Sequence, residues 1–204
     1  VIAIIDYRAG NLRSVERALR HLGVSCRITG SADKIRAARR VIFPGVGAAG
    51  KAMETIASLG LDAVIREVAS AGVPFLGICL GTQIILETSE EDDTRCLGII
   101  PGTVRKFPET PGLKVPHMGW NTLERLVEHP LLAGIDQGAG FYFVHSYYPE
   151  PARKEDVAAC TVHGVRFASM IARDNVAAVQ FHPEKSGRPG LRLLENFSRW
   201  DGGI

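Results

Sequence analysis

Thirteen residues, PFLGICLGTQIIL (Pro74–Leu86), constrain this chain more than any other stretch. The apolar run PFLGIC has the composition of a strand buried on both faces. It runs into a helix-forming segment, LGTQIILETS, with Cys79 at the junction and glycine two residues to either side. A strand that becomes a helix over so few residues must turn sharply. The pattern G-x-(nucleophile)-x-G marks such a turn. Side chains at Gly77 and Gly81 are expected to collide there, and Cys79 is lifted to the carboxyl end of the strand at a helix N-terminus. That position favours thiolate, the reactive form.

The rest of the first half supports a strand in that place. VIAIID, SCRIT and RVIFPG read as strands, and SVERALRHLG and LDAVIREVASAG as amphipathic helices closed by Gly23 and Gly72. Strand–helix alternation with apolar strands predicts an α/β fold, a mostly parallel doubly wound sheet flanked by helices. The second half is richer in strands: TVRKF, KVPHMGWNTL, GFYFVHSYY, DVAACTV, RFASMIA and VAAVQFH. These predict added antiparallel strands before a last helix over GLRLLENFSRW. SEEDDT (Ser89–Thr94) reads as a solvated acidic loop.

Bulk properties narrow the function classes. A chain of 204 residues with net charge +2 reads as a single domain over residues 1–204, without the basic face that nucleic acid requires. No apolar run reaches membrane-spanning length, and the first residues lack a secretory pattern. The four cysteines are scattered without a CxxC, so a zinc knuckle is unlikely on spacing, and reduced thiols in the cytoplasm are expected.

A thiolate nucleophile needs a base, and the base needs an orienting group. In VAAVQFHPEK, Pro183 biases His182 toward an extended backbone, where residues two apart share a face. His182 and Glu184 then form an imidazole–carboxylate pair, and Cys79–His182–Glu184 a triad. The H-x-E of zinc deaminases is also present, but their P-C-x-x-C is not. Acyl chemistry further requires donors for an oxyanion. The Leu80 N–H follows the nucleophile, and FPGVGAAG (Phe43–Gly50) offers a second donor within Val46–Gly47. The G-K-[ST] ending of a phosphate loop is absent.

Taken together and in this order, these pieces resemble the class I, triad-type glutamine amidotransferases over essentially the whole chain. DYRAGNLRSV, FPGVGAAG, GICLGTQII, VPHMGWN, YFVHSYY and QFHPEKS are similar to the glutaminase subunits of imidazole glycerol phosphate synthases. The resemblance implies hydrolysis of L-glutamine through a Cys79 thioester, with no metal or organic cofactor. It implies that Gly47, Gln83, Ser146 and Tyr147 hold the glutamine head group. It also implies a (βα)8-barrel cyclase partner that receives the ammonia in histidine biosynthesis, docked near Asn11, Pro116, Met118, Trp120 and Lys185. Trp120 and Met118 sit among Pro and Gly in what reads as an exposed, turn-like loop. Arg8 stands where the family has glycine, and Thr82 where it has methionine; Thr82 is expected to matter little. PHMGWN and FVHSYY count against the glutaminases of pyridoxal phosphate or anthranilate synthases. The His-x-Glu spacing counts against a cysteine peptidase, and the intact triad against a silent binding module.

Overall fold

The computed structural model describes residues 1–8 and 10–203. Ala9, inside the DYRAGNLRSV motif, and Ile204, the last residue of the expected domain, lie outside the described residues. In chain order the first elements are β1 (Ile2–Ile5), α1 (Leu12–His21), β2 (Cys26–Thr29), α2 (Ala32–Arg36), β3 (Arg40–Gly45), α3 (Ala49–Ser58), α4 (Leu61–Ser70), β4 (Phe75–Cys79) and α5 (Leu80–Ile84). Then follow β5 (Thr88–Ser89), β6 (Thr94–Arg95), β7 (Gly102–Lys106), β8 (His117–Thr122), β9 (Glu124–Arg125), β10 (Gly140–His145), β11 (Tyr147–Pro151), β12 (Val157–His163), β13 (Val165–Arg173), β14 (Val176–Val179) and α6 (Gly187–Arg199).

The central sheet runs β2-β1-β3-β4-β14-β13-β12-β9. Its first five strands are parallel, and β13, β12 and β9 extend it antiparallel. Alternate residues of the parallel strands face opposite cores, as the pleat requires. Ile2, Ile4, Ile42, Leu76 and Ile78 meet Val15 and Leu19 of α1 and Leu194 and Phe197 of α6. Ile5, Val41, Phe43 and Phe75 meet Ile35 of α2, Ile56 of α3 and Val64 and Ile65 of α4. Both faces being covered explains why these strands read as continuous apolar runs. Strand order reverses between β1 and β3, and the loops after them open at the carboxyl ends, where α/β sheets bind ligands.

Several details differ from the sequence expectation. The helices α2 and α3 were not anticipated. The helix after Cys79 stops at Ile84 because its carbonyls are taken elsewhere: Ile84 O accepts from Leu97 N, Ile85 O from Ile99 N and Ile100 N, and Leu86 O from Gly98 N. For VPHMGWN the strand reading of KVPHMGWNTL holds and the loop reading does not. Residues 117–122 form β8, paired antiparallel with β10. Pleating turns His117 inward and leaves Met118 and Trp120 exposed. The acidic stretch is not merely solvated, since Glu91 Oε2 accepts the Ala49 N–H that opens α3 at 2.6 Å, and Glu90 accepts from Arg105 and from the Lys106 N–H. Thr82 matters more than expected: it is fully buried, and its hydroxyl donates to Val179 O at 2.6 Å, tying α5 to β14. Arg8 sits at φ 66°, in the left-handed region that favours the glycine expected there from the sequence resemblance.

Candidate active site

Cys79 closes β4 at φ 54° and ψ −108°, well outside the ordinary regions for a side-chain-bearing residue. Such a residue costs about 1–3 kcal/mol and persists only where packing over-determines it. Here the packing is close. A Cβ on Gly81 would stand 1.8 Å from the Phe43 carbonyl oxygen, and one on Gly77 would stand 3.0 Å from the Ala178 Cβ. The glycines are needed because the elbow presses on the neighbouring strands β3 and β14, more than on itself. Leu80 is the first residue of α5, so its N–H has no intrahelical acceptor.

The sheet register brings the second half of the site alongside. Val179 of β14 pairs with Ile78 of β4, which sets Gln180 beside Cys79 and His182 just beyond. The His182 N–H donates to Tyr142 O at 2.9 Å. Pro183–Lys185 then form a 3-10 turn, so Glu184 is not in an extended segment as expected. The pair forms all the same: His182 Nδ1 donates to Glu184 Oε1 at 2.7 Å, both side chains fully buried. That bond leaves Nε2 as the ring nitrogen turned to other work, and it has no hydrogen-bond partner. Burial pushes the His182 pKa down, but the neighbouring Cys79 sulfur and the bonded Glu184 carboxylate outweigh burial and raise it to about 9. Cys79 and His182 line the same cleft, and Nε2 makes no hydrogen bond there, as is common before substrate arrives.

A cleft of about 330 Å³ opens over these residues. It is lined by Cys79 and Leu80, by Val46 and Gly47 from the loop after β3, by Gln83 of α5, by Ser146 between β10 and β11, and by Tyr147 that opens β11. Gly47 has φ 100°, which favours glycine although a Cβ there would meet open space. Pro116 and Lys185 also line the cleft. Met118 and Trp120 do not; they lie exposed on β8, and Trp120 packs edge-on against Tyr142, over whose ring Lys185 Nζ lies 5.9 Å from the centroid.

Asn11, expected near the docking face, also reaches the acid of the triad. Its side-chain amide donates to Glu184 Oε1 at 2.6 Å, directly behind the imidazole. Sequence reasoning also missed Gln180, which is fully buried and donates its amide toward Cys79 Sγ at 3.8 Å. Gln83 Nε2 donates both to Gln180 Oε1 at 3.1 Å and to Tyr147 O at 2.8 Å. The signal for Gln180 was its place two residues before His182 on a strand end. Among the described residues no group of three or more His, Cys, Asp or Glu is placed to hold a metal ion, and no helix is long and apolar enough to cross a membrane.

Known proteins are similar to this chain in sequence and in fold. The model of the family described as glutamine amidotransferase class-I matches residues 3–199. A Desulfovibrio desulfuricans protein named imidazole glycerol phosphate synthase subunit HisH is 54% identical, with 97% of this chain and 93% of that protein covered. Proteins of the same name from Chloroflexus aurantiacus and Dehalococcoides mccartyi are 50% and 48% identical, covering 98% and 97% of this chain and 96% of each relative. In fold, the chain is similar to a structure titled PurLQS from Thermotoga maritima, with a TM-score of 0.74 at 18% identity over 96% of each chain. It is also similar to a crystal structure titled glutamine amidotransferase, with a TM-score of 0.71 at 20% identity over 97% of this chain and 98% of that one. The chain belongs to the class-I glutamine amidotransferase family.

Proposed function

We propose that this protein is the glutaminase subunit of an imidazole glycerol phosphate synthase, hydrolysing L-glutamine at Cys79. The observation that carries the chemistry is the buried His182–Glu184 pair, its Nε2 unbonded, beside a cysteine on a strained strand-to-helix turn. The Cys79 thiolate attacks the side-chain amide carbon of glutamine. The Leu80 N–H and a donor from Val46–Gly47 take the charge on the oxygen. As the C–N bond breaks, protonated His182 gives its Nε2 proton to the leaving ammonia. Water then attacks the thioester and passes a proton to Nε2. The C–S bond breaks, glutamate leaves and the thiolate returns. Glu184 holds Nδ1 throughout and sustains the imidazolium.

Gly47, Gln83, Ser146 and Tyr147 are assigned to the glutamine head group. Because Gln83 Nε2 is committed to Gln180 and Tyr147, its Oε1 is the atom offered to a ligand ammonium. Ammonia is mostly protonated in neutral water and then useless as a nucleophile, so a synthase partner must take it directly. The relatives are each named a subunit of an imidazole glycerol phosphate synthase, which supports a second subunit as that partner; the sequence resemblance makes it a (βα)8-barrel cyclase of histidine biosynthesis, in the cytoplasm. Its docking face is assigned to Asn11, Met118 and Trp120, with Pro116 and Lys185 at the cleft edge. Glutamine hydrolysis measured alone and with the cyclase tests the reading. Hydrolysis that rises on mixing supports it; hydrolysis indifferent to the cyclase assigns the chain to another amidotransferase.

A further inference from the structure

Beneath the Tyr147 wall of the cleft lies a group of histidines with no part in the chemistry above. His145 ends β10 and lines the cleft, and His117 begins β8; both are buried. The His117 ring stacks between Phe143, at a centroid distance of 4.8 Å, and His163, at 4.1 Å. The hydrogen bonds admit one arrangement of protons. A carbonyl oxygen only accepts, so His145 Nδ1 donates to Tyr147 O at 2.7 Å. His145 Nε2 is then an acceptor, and His117 Nδ1 donates to it at 3.0 Å. His117 Nε2 is an acceptor in turn, and Asn121 Nδ2 donates at 3.2 Å. The Asn121 amide is oriented independently, since its Oδ1 accepts the Thr122 N–H at 2.8 Å and its Nδ2 also donates to Val162 O at 3.0 Å.

Every link points the same way, from β8 toward the cleft. Burial pushes the pKa of His117 down to about 4 and that of His145 to about 3, so neither ring takes up the second proton that would break a link near neutrality. At the end of the chain, the Tyr147 carbonyl accepts from both His145 and Gln83. Both its lone pairs are used, so it holds the wall rather than the ligand. Simple packing would not need this: apolar side chains fill an aromatic cluster without buried polar atoms, each of which costs free energy if left unpaired.

We propose that His117 and His145 are positioning residues, a one-way hydrogen-bond relay from Asn121 that fixes the Ser146–Tyr147 wall of the glutamine pocket. The proposal rests on that pocket being the glutamine site. The relay begins one residue from exposed Trp120, so a partner seated on β8 lies one residue from its first donor.

The test uses the two nitrogens separately. The amide nitrogen of asparagine falls where Nδ1 of histidine was, and that of glutamine where Nε2 was. His145→Gln therefore loses the donor to Tyr147 O, and the KM for glutamine should rise about tenfold with a smaller change in kcat. His145→Asn should recover most of that loss. Nitrogen-15 NMR of the wild-type protein should show both rings protonated at Nδ1. Equal KM values for the two variants, or an Nε2-protonated ring at either position, overturn the relay. If the variants fold poorly, the wild-type spectrum decides alone. Cys79→Ala is assayed in parallel. Should it keep hydrolysing glutamine, the site assignment fails, while the tautomers, read without substrate, still decide the relay.

Discussion

Asn11 donates its side-chain amide to Glu184 Oε1 over 2.6 Å, across 173 residues of chain. The same oxygen accepts from His182 Nδ1, so the loop after β1 reaches the acid that orients the imidazole. Asn11 approaches His182 Nδ1 itself at 3.4 Å, but that nitrogen already donates to Glu184, and two donors do not bond. Its backbone stands at φ 72°, a conformation asparagine tolerates better than most residues. Asn11→Ala should lower kcat for glutamine about tenfold with little change in KM, the loss of one hydrogen bond to a charged group. Unchanged kcat would show that Glu184 is held well enough without it.

Cys79→Ala should abolish glutamine hydrolysis yet leave cyclase turnover with added ammonium salts intact. His182→Ala should be nearly as damaging, and the double variant little worse than either, because members of a catalytic unit are not additive. The measurement is glutamate release, compared with product formation from ammonium. A double variant that loses a further full factor would separate the two residues.

The proton on His182 should be held through neutral pH. Its pKa is raised from 6.5 to about 9, burial opposing and Cys79 and Glu184 prevailing. A group raised on folding contributes its full stabilisation below about 6.5 and loses it as pH climbs through about 9. Removing the thiol in Cys79→Ala leaves burial opposed by Glu184 alone, so the imidazole midpoint should fall, and with it the pH at which this contribution disappears. Imidazole proton NMR across the range, with melts near neutrality and above about pH 9, reads both. An unmoved midpoint contradicts the coupling.

Gly81→Ala should be severe. Its Cβ would meet the Phe43 carbonyl oxygen at 1.8 Å, a backbone atom that no side-chain rotation can move aside. A cost of about 3 kcal/mol or more is expected from overpacking. Gly60→Ala is the comparison: at φ 65° with open space around it, it should cost only about 1–2 kcal/mol from the left-handed backbone alone. Equal melting temperatures for the two would remove the steric account of the elbow.

Trp120 is 62% exposed on β8, too open to be a core residue of the lone chain. Trp120→Ala should leave its melting temperature unchanged and weaken cyclase binding by about 1–3 kcal/mol, the range of an interface anchor. Titration of the cyclase decides this; normal affinity excludes Trp120 from the docking face.

Much of the site was legible in short stretches, because local rules govern them. GICLG announces a tight strand-to-helix turn. Asn11 was legible only as a neighbour of the docking face, since no local rule pairs the loop after β1 with Glu184. The β8 segment read both ways, as a strand from its pattern and as a loop from its Pro and Gly, and pairing with β10 decided for the strand.

What the sequence by itself determined is the strand–helix alternation, the parallel half of the sheet and the choice of Cys79, His182 and Glu184 as the candidate nucleophile, base and acid. These follow from apolar periodicity and from backbone sterics within a few residues. What only the tertiary structure decided is which distant groups meet the triad. The pairing of β14 with β4 sets Gln180 on the sulfur, the loop after β1 delivers Asn11 to Glu184, and β8 against β10 aligns His117 with His145. Hydrogen bonds act over about 3 Å whatever the separation along the chain, and that separation is closed only when the sheet has formed.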